Sequence, residues 1–128
     1  MTKEEKKLML QDLCARTFYG VKVQYMNKIF DIDYISPIYE EIKLNTSGNW
    51  TIDVFEIKPY LFPLSSMSEE QQKEFDQLIK LELKAINDEI PHTQVTTFEI
   101  DFYNKNHFDY RELIEKGLAI DATGLNIY

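Results

Sequence analysis

The residues that could carry chemistry are few, and none stands in the pattern a known mechanism needs. Asp31 and Asp33 flank Ile32 in a stretch that alternates like a strand. Alternate strand positions share one face, so both carboxylates could reach one divalent cation. A calcium loop would add a glycine at its sharp turn and further oxygen ligands, and neither these nor a nearby histidine accompany the pair. Glu40 and Glu41, beside Tyr39, read as a solvated edge, because nothing in the sequence raises their acidity constants toward acid–base work. His92 follows a proline and His107 precedes Phe108; both read as turn residues with no acid or nucleophile at a readable spacing. Cys14 is the single cysteine, so no internal disulfide can form, and its place in an apolar helical stretch reads as a small buried hydrophobe. The expected catalytic residues, metal site and cofactors are therefore none.

Composition narrows the classes. A chain of 128 residues fits one α+β domain, residues 1–128, that buries roughly two-thirds of its unfolded surface. Apolar residues make up 44% and aromatics 13%, which excludes a disordered chain, and no run approaches the roughly eighteen apolar residues of a membrane span. The charged start, Met1 to Lys7, lacks the apolar core of a secretory signal, which leads to the expectation of a cytoplasmic protein with no membrane partner. The sequons at Asn45 and Asn49 then read as chance matches in a turn. Net charge is −8, split as +3 over residues 1–30 and −11 over residues 31–128. That balance opposes extended binding to a nucleic-acid backbone, which needs clustered Lys and Arg.

Stepping from residues to elements, the strongest signal is the stretch Ser65 to Ile90. Ser68 and Gln71 are placed for a reciprocal cap, and Glu69, Glu70 and Glu74 suit the positive end of a helix. Phe75, Leu78, Ile79, Leu83 and Ile86 recur at three- and four-residue steps, and Pro91 stops the run. About twenty residues make a rod of roughly 30 Å, so this helix is expected to lie across the sheet as its central packing element. A second capping box, Thr2 with Glu5, opens a shorter helix over about Lys3–Ala15, and Gly20 ends that region.

The strands are read as mainly antiparallel, four to six in number. With Asn27-Lys28 as a two-residue hairpin loop, Tyr25 faces Phe30, Val23 faces Ile32 and Val21 faces Tyr34, while Lys22 meets Asp33 on the other face. A second hairpin runs from Ile38–Leu44 through the turn-forming cluster 45–49 to Trp50–Ile57, with Ile42 and Leu44 packed beside Ile52 and Trp50. Lys58 to Pro63 has two prolines around Tyr60-Leu61-Phe62 and reads as an extended connector outside the ladder. Leu61 and Phe62 are expected under cover and Tyr60 partly exposed; Tyr60 and Phe62 are the candidate binding residues. Val95–Tyr103 alternates with Phe98, Ile100 and Phe102 inward, the pattern of a strand. Asp109 and Glu112 then cap a short helix, stapled by Phe108 and Leu113 and ended by Gly117; Leu118–Ile120 forms a short strand, and 121–124 turns the chain.

Two stretches of wording stand out: Lys58-Pro59-Tyr60 with Pro63 to Glu70, and Asn106 to Arg111 with Leu113 to Ala119. They resemble uncharacterised small proteins of gut bacterial genomes and their prophages or mobile elements, over about residues 58–128. The resemblance implies an accessory cytoplasmic protein and carries no activity with it.

The functional expectation is a non-enzymatic protein-interaction protein with a protein partner. The alternative is a small ligand-binding domain or enzyme with an aromatic pocket between sheet and helix, gated by Asp31, Asp33, Tyr39 or His107. Single-strand nucleic-acid binding on exposed sheet aromatics is a third class, and the net acidity opposes it.

Overall fold

The computed structural model describes residues 2–45, 50–86 and 98–128. Both capping boxes form as their spacing requires. Thr2 Oγ1 accepts from the Glu5 amide at 3.1 Å while Glu5 accepts from the Thr2 amide, opening helix α1, Lys3–Arg16. Ser68 and Gln71 exchange the same two bonds at 2.9 and 3.1 Å ahead of helix α2, Glu69–Ile86. A 3-10 turn over Thr17–Tyr19 ends at Gly20, whose φ of 74° is left-handed and suits a residue without a Cβ.

Strands β1 (Lys22–Tyr25), β2 (Lys28–Ser36), β3 (Glu41–Leu44), β4 (Ile52–Asp53), β5 (Lys58–Pro63) and β6 (Phe108–Asp109) form one mixed sheet. Their order is β4-β3-β2-β1-β5-β6, and β7 (Ile120–Asp121) also pairs with β5. The β1–β2, β2–β3, β3–β4 and β1–β5 pairings are antiparallel, which keeps the sheet mainly antiparallel, but β6 and β7 run parallel to β5.

The first hairpin exists with its register moved by two residues. Met26 and Asn27, not Asn27 and Lys28, form the loop; both have positive φ, 49° and 62°, the geometry of a two-residue hairpin turn. Val23 therefore faces Phe30 rather than Ile32, and Lys22 faces Asp31. A shift of two preserves the faces, so Val23 is still fully buried. The observed register also gives each aspartate a cation: Lys22 meets Asp31 at 2.9 Å, while Asp33, at an irregularity in β2, reaches Lys43 at 3.6 Å.

In the second hairpin Ile42 lies opposite Ile52, but Trp50 stands exposed and does not join the core. The break in alternation after Ile52 is a 3-10 turn over Val54–Glu56, capped by Asp53 and Glu56. Residues 37–40 form a turn, so the strand expected from Ile38 begins only at Glu41.

Lys58–Pro63 is not a connector outside the ladder; it is β5, flanked by β1, β6 and β7. Pro59 fits there because its partner is Val23 at a position where it need not donate, the N–H-bearing neighbours Gln24 and Lys58 supplying the ladder. Tyr60 is 5% exposed, so the expected partial exposure does not hold. The reason is the short strand β7, which pairs directly at Tyr60 and Leu61.

Phe98–Lys105 is helix α3 rather than strand. The alternation of Phe98, Ile100 and Phe102 covers only five residues, and Phe98 and Phe102 are also one helical turn apart. Glu99 and Asp101 occupy the first turn, where carboxylates are favoured. Phe102 is buried while Ile100 is exposed, a difference a strand carrying both on one face would not give. The expected helix from Asp109 is a single turn. Asp109 accepts from the amides of Leu113 and Ile114, 2.9 Å each, because Glu112 adopts a φ of 59° and displaces the start of the turn. Gly117 is left-handed, φ 73°, as the sequence indicates.

The core is built by α1 and the sheet: Met9, Leu10 and Leu13 pack with Val21, Val23, Ile42, Leu44, Ile52, Val54, Ile57 and Leu61. Leu113, Leu118 and Ala119 close it. No described side chain of α2 is among the buried residues; Phe75 instead packs on α3, its ring 5.5 Å from Phe102 and 5.4 Å from Tyr103. The helix over the sheet is thus α1. Pro91, His92, residues 95–97 and the turn 46–49 lie outside the described residues. No helix of the described residues is long and apolar enough to cross a membrane.

Candidate functional site

Helix α1 carries charge on its buried side. Asp12 and Arg16, four residues apart, are both fully buried, and Arg16 Nε donates to Asp12 Oδ2 at 2.8 Å. Arg16 Nη2 donates to the Phe108 carbonyl at 2.6 Å, and Arg111 Nε approaches the other Asp12 oxygen at 3.3 Å. Both guanidinium groups sit 5.0 Å from the centre of the Tyr110 ring, and Tyr110 Oη donates to the buried Asn104. Burial pushes the Asp12 carboxyl up, against the opposing pull of Arg16 and Arg111. The network fastens α1 to β6 and the turn after it, which is a structural task.

A concavity runs along one side of α1, where polar and apolar side chains alternate. Lys7, Leu10, Gln11 and Cys14 line a groove of about 440 Å³ whose opposite wall is Pro37 and Glu40. Ile38 and Tyr39, between those two wall residues, are 87% and 75% exposed, and Phe18, one turn beyond Cys14, is 88% exposed. From α1 the Lys6 ammonium reaches Glu40, on the groove's far wall, at 3.0 Å and Asp53 at 2.9 Å. Those two carboxylates raise the Lys6 pKa. Glu40, with a φ of 55°, turns the chain so that its side chain faces Lys6. Cys14 is exposed here and not the buried hydrophobe expected, because the fully inward positions of α1 are taken by Met9, Leu13 and Arg16. Partial desolvation by the groove pushes its thiol pKa up, away from a reactive thiolate.

A second concavity, about 250 Å³, lies between β5 and the start of α2, lined by Phe62, Ser66, Gln71, Phe108, Thr123 and Gly124. Beside it His107 stacks on Tyr128, ring centres 3.6 Å apart and 12° from parallel. Burial, with the nearby charges of Arg16 and Lys22, lowers the His107 pKa to about 4, so the ring is neutral near pH 7.

The two candidate binding residues part company. Tyr60 is interior, whereas Phe62 is half-buried at this pocket. Asp31 and Asp33 are each held by a lysine, Tyr39 stands at the groove, and His107 stacks on Tyr128, so the four expected gating residues do not gather at one pocket. No group of three or more metal-ligating side chains occurs among the described residues. Pro37 in the groove wall and the exposed Phe18 and Ile38 had a legible signal: large apolar side chains in tight turns, where burial is hard to arrange.

Comparison of the chain with family models, with curated proteins and with solved structures finds no match. The functional reading therefore rests on this geometry alone.

Proposed function

We propose that the protein is a non-enzymatic interaction protein that receives an apolar segment of a protein partner in the groove between α1 and the turn at 37–40. The observation that carries this reading is the groove lined by Leu10, Cys14 and Pro37 together with the exposure of Ile38 and Tyr39 on the turn that forms its far wall. Leaving such groups in water forgoes burial worth about 1.5–3 kcal/mol for each fully covered side chain, which association recovers. Aromatic and aliphatic anchors at a concave site are the usual seat of binding energy. An accessory role in the cytoplasm, of the kind the mobile-element resemblance implies, is compatible with this reading.

The test compares wild type with Ile38→Asp and Tyr39→Ser in affinity purification from the native host, beside Leu83→Ser on α2 as an exposed control. The groove variants are expected to lose a partner that the control retains, with unfolding transitions unchanged. Equal recovery by all four proteins would remove the groove from the reading.

A second reading places a small flat ligand on Phe62 and Phe108 in the 250 Å³ pocket, where Ser66, Gln71 and Thr123 offer polar rim groups. It keeps Phe62 as a contact residue, and ligand-induced thermal stabilisation abolished by Phe62→Ala would support it.

A further inference from the structure

The ladder between β1 and β5 pairs Gln24 with Lys58 and Val23 with Pro59. Continued by one step it would pair Lys22 with Tyr60. Pro59 has no N–H, so its pair is the non-hydrogen-bonded kind, and the next position is one where strands exchange amide and carbonyl directly. Here a side chain intervenes: Tyr128 Oη accepts from the Lys22 amide at 2.9 Å and donates to the Tyr60 carbonyl at 2.7 Å. A hydroxyl thus stands where one ladder bond belongs.

The segment that delivers this hydroxyl is lightly held. Thr123 to Asn126 are exposed, and Gly124 and Asn126 have positive φ, 77° and 53°. The hydrogen bonds of Thr123 and Leu125 are local, to Asp121 and Ala122. Tyr128 is the anchor, its ring set between His107 at 3.6 Å and Phe62 at 5.8 Å.

We propose that Thr123–Tyr128 is a releasable strap, latched when the Tyr128 hydroxyl wedges between Lys22 and Tyr60 and unlatched when those two backbone groups bond directly. Both states satisfy the Lys22 amide and the Tyr60 carbonyl, so release leaves no buried backbone group unpaired, the condition for two states of similar free energy. Unlatching bares the face of Phe62 beside the 250 Å³ pocket and frees the His107 ring. The strap is therefore a built-in cover for that aromatic floor, independent of the groove on α1. Protonation of His107 favours release. The charged groups acting on it are Arg16 from α1 and Lys22 from β1, both cationic, and its Nδ1 is buried without a partner. Asp31 from β2 pairs with Lys22 at 2.9 Å, and its negative charge acts on the Tyr128 hydroxyl.

Amide exchange tests the strap. In Tyr128→Ala the Lys22 amide is expected to keep its protection to within about three-fold of wild type, because the direct bond to Tyr60 forms. A loss of about ten-fold or more at Lys22, with Leu13 and Val23 still protected, would show an open gap and overturn the two-state strap. Should that variant not fold, wild-type protein decides by NMR between pH 6.5 and 4. The nuclear Overhauser contacts between the Tyr128 and His107 rings are expected to weaken as His107 titrates while the amides of Leu13 and Val23 hold. Contacts that persist once His107 is protonated, or that are lost only together with those core amides, would overturn the proposal.

Discussion

Helices α1 and α2 invert what their sequences advertise. The α2 stretch has a reciprocal cap, an acidic first turn and a regular apolar stripe, yet none of its described side chains is buried, and Phe75 packs on α3. The α1 stretch has almost no amphipathic contrast, yet it supplies Met9, Leu10 and Leu13 to the core. Its contrast vanishes because the buried side also holds Asp12 and Arg16 while Cys14 faces water. A stripe on a helix shows which face seeks cover and not which layer provides it. A buried charge pair hides an inward face from any tally of hydrophobicity.

The largest effect that separates the two helices is expected at Asp12. Replacing it with Ala leaves Arg16 buried without its carboxylate and is expected to cost about 3–5 kcal/mol, measured by denaturant unfolding. If α1 were a surface helix, the loss would be near that of an exposed pair, about 0–1 kcal/mol. Next is Leu13→Ala, which opens a cavity under α1 and is expected to cost about 2–5 kcal/mol by the same measurement.

A smaller effect comes from His107. Its folded pKa of about 4 lies below the ordinary 6.5, so between these values the unfolded chain binds more protons. Its stabilising contribution is complete above pH 6.5 and is lost as pH falls through about 4. Because the ring is only half-buried, solvent screening limits this to about 2 kcal/mol or less. The stability gap between wild type and His107→Asn is expected to narrow across that window, asparagine being tolerant of the site's positive φ of 62°. Asp12, pushed up by burial, acts in the opposite sense in both proteins and cancels from the difference. The smallest effect belongs to α2: Leu83→Ala, at a half-exposed position, is expected to change stability by within about 0.5 kcal/mol. A cost there equal to that of Leu13→Ala would erase the contrast between the helices.

What could be read in advance followed the range of the forces involved. The caps at Thr2 and Ser68 and the left-handed turns at Gly20 and Gly117 involve groups within a few residues, and all appear as their spacing requires. The first hairpin kept its faces because side-chain alternation is local, but its register depended on which pair of residues accepted positive φ and on Lys43 from the next strand. The alternation from Phe98 to Phe102 was too short to separate strand from helix, and Phe75 on α2 supplied the missing constraint. Of the candidate sites, Phe62 was found at a pocket, while Tyr60 was covered by β7, sixty residues further along.

Local sequence sufficed for an α+β chain, two capped helices, the left-handed turns at Gly20 and Gly117 and the inward face of β1, because propensity, capping and periodicity act over one or two turns of chain. Tertiary structure alone decided that α1 covers the sheet, that β5 lies within it, and that a groove forms between α1 and Pro37–Glu40. Those outcomes depend on Arg16 meeting a carbonyl 92 residues away, on Lys6 bridging Glu40 to Asp53, and on Tyr128 joining β1 to β5. Hydrogen bonds and ion pairs of that reach exist only once the chain has closed the intervening loops, and no local pattern encodes the partner at the far end.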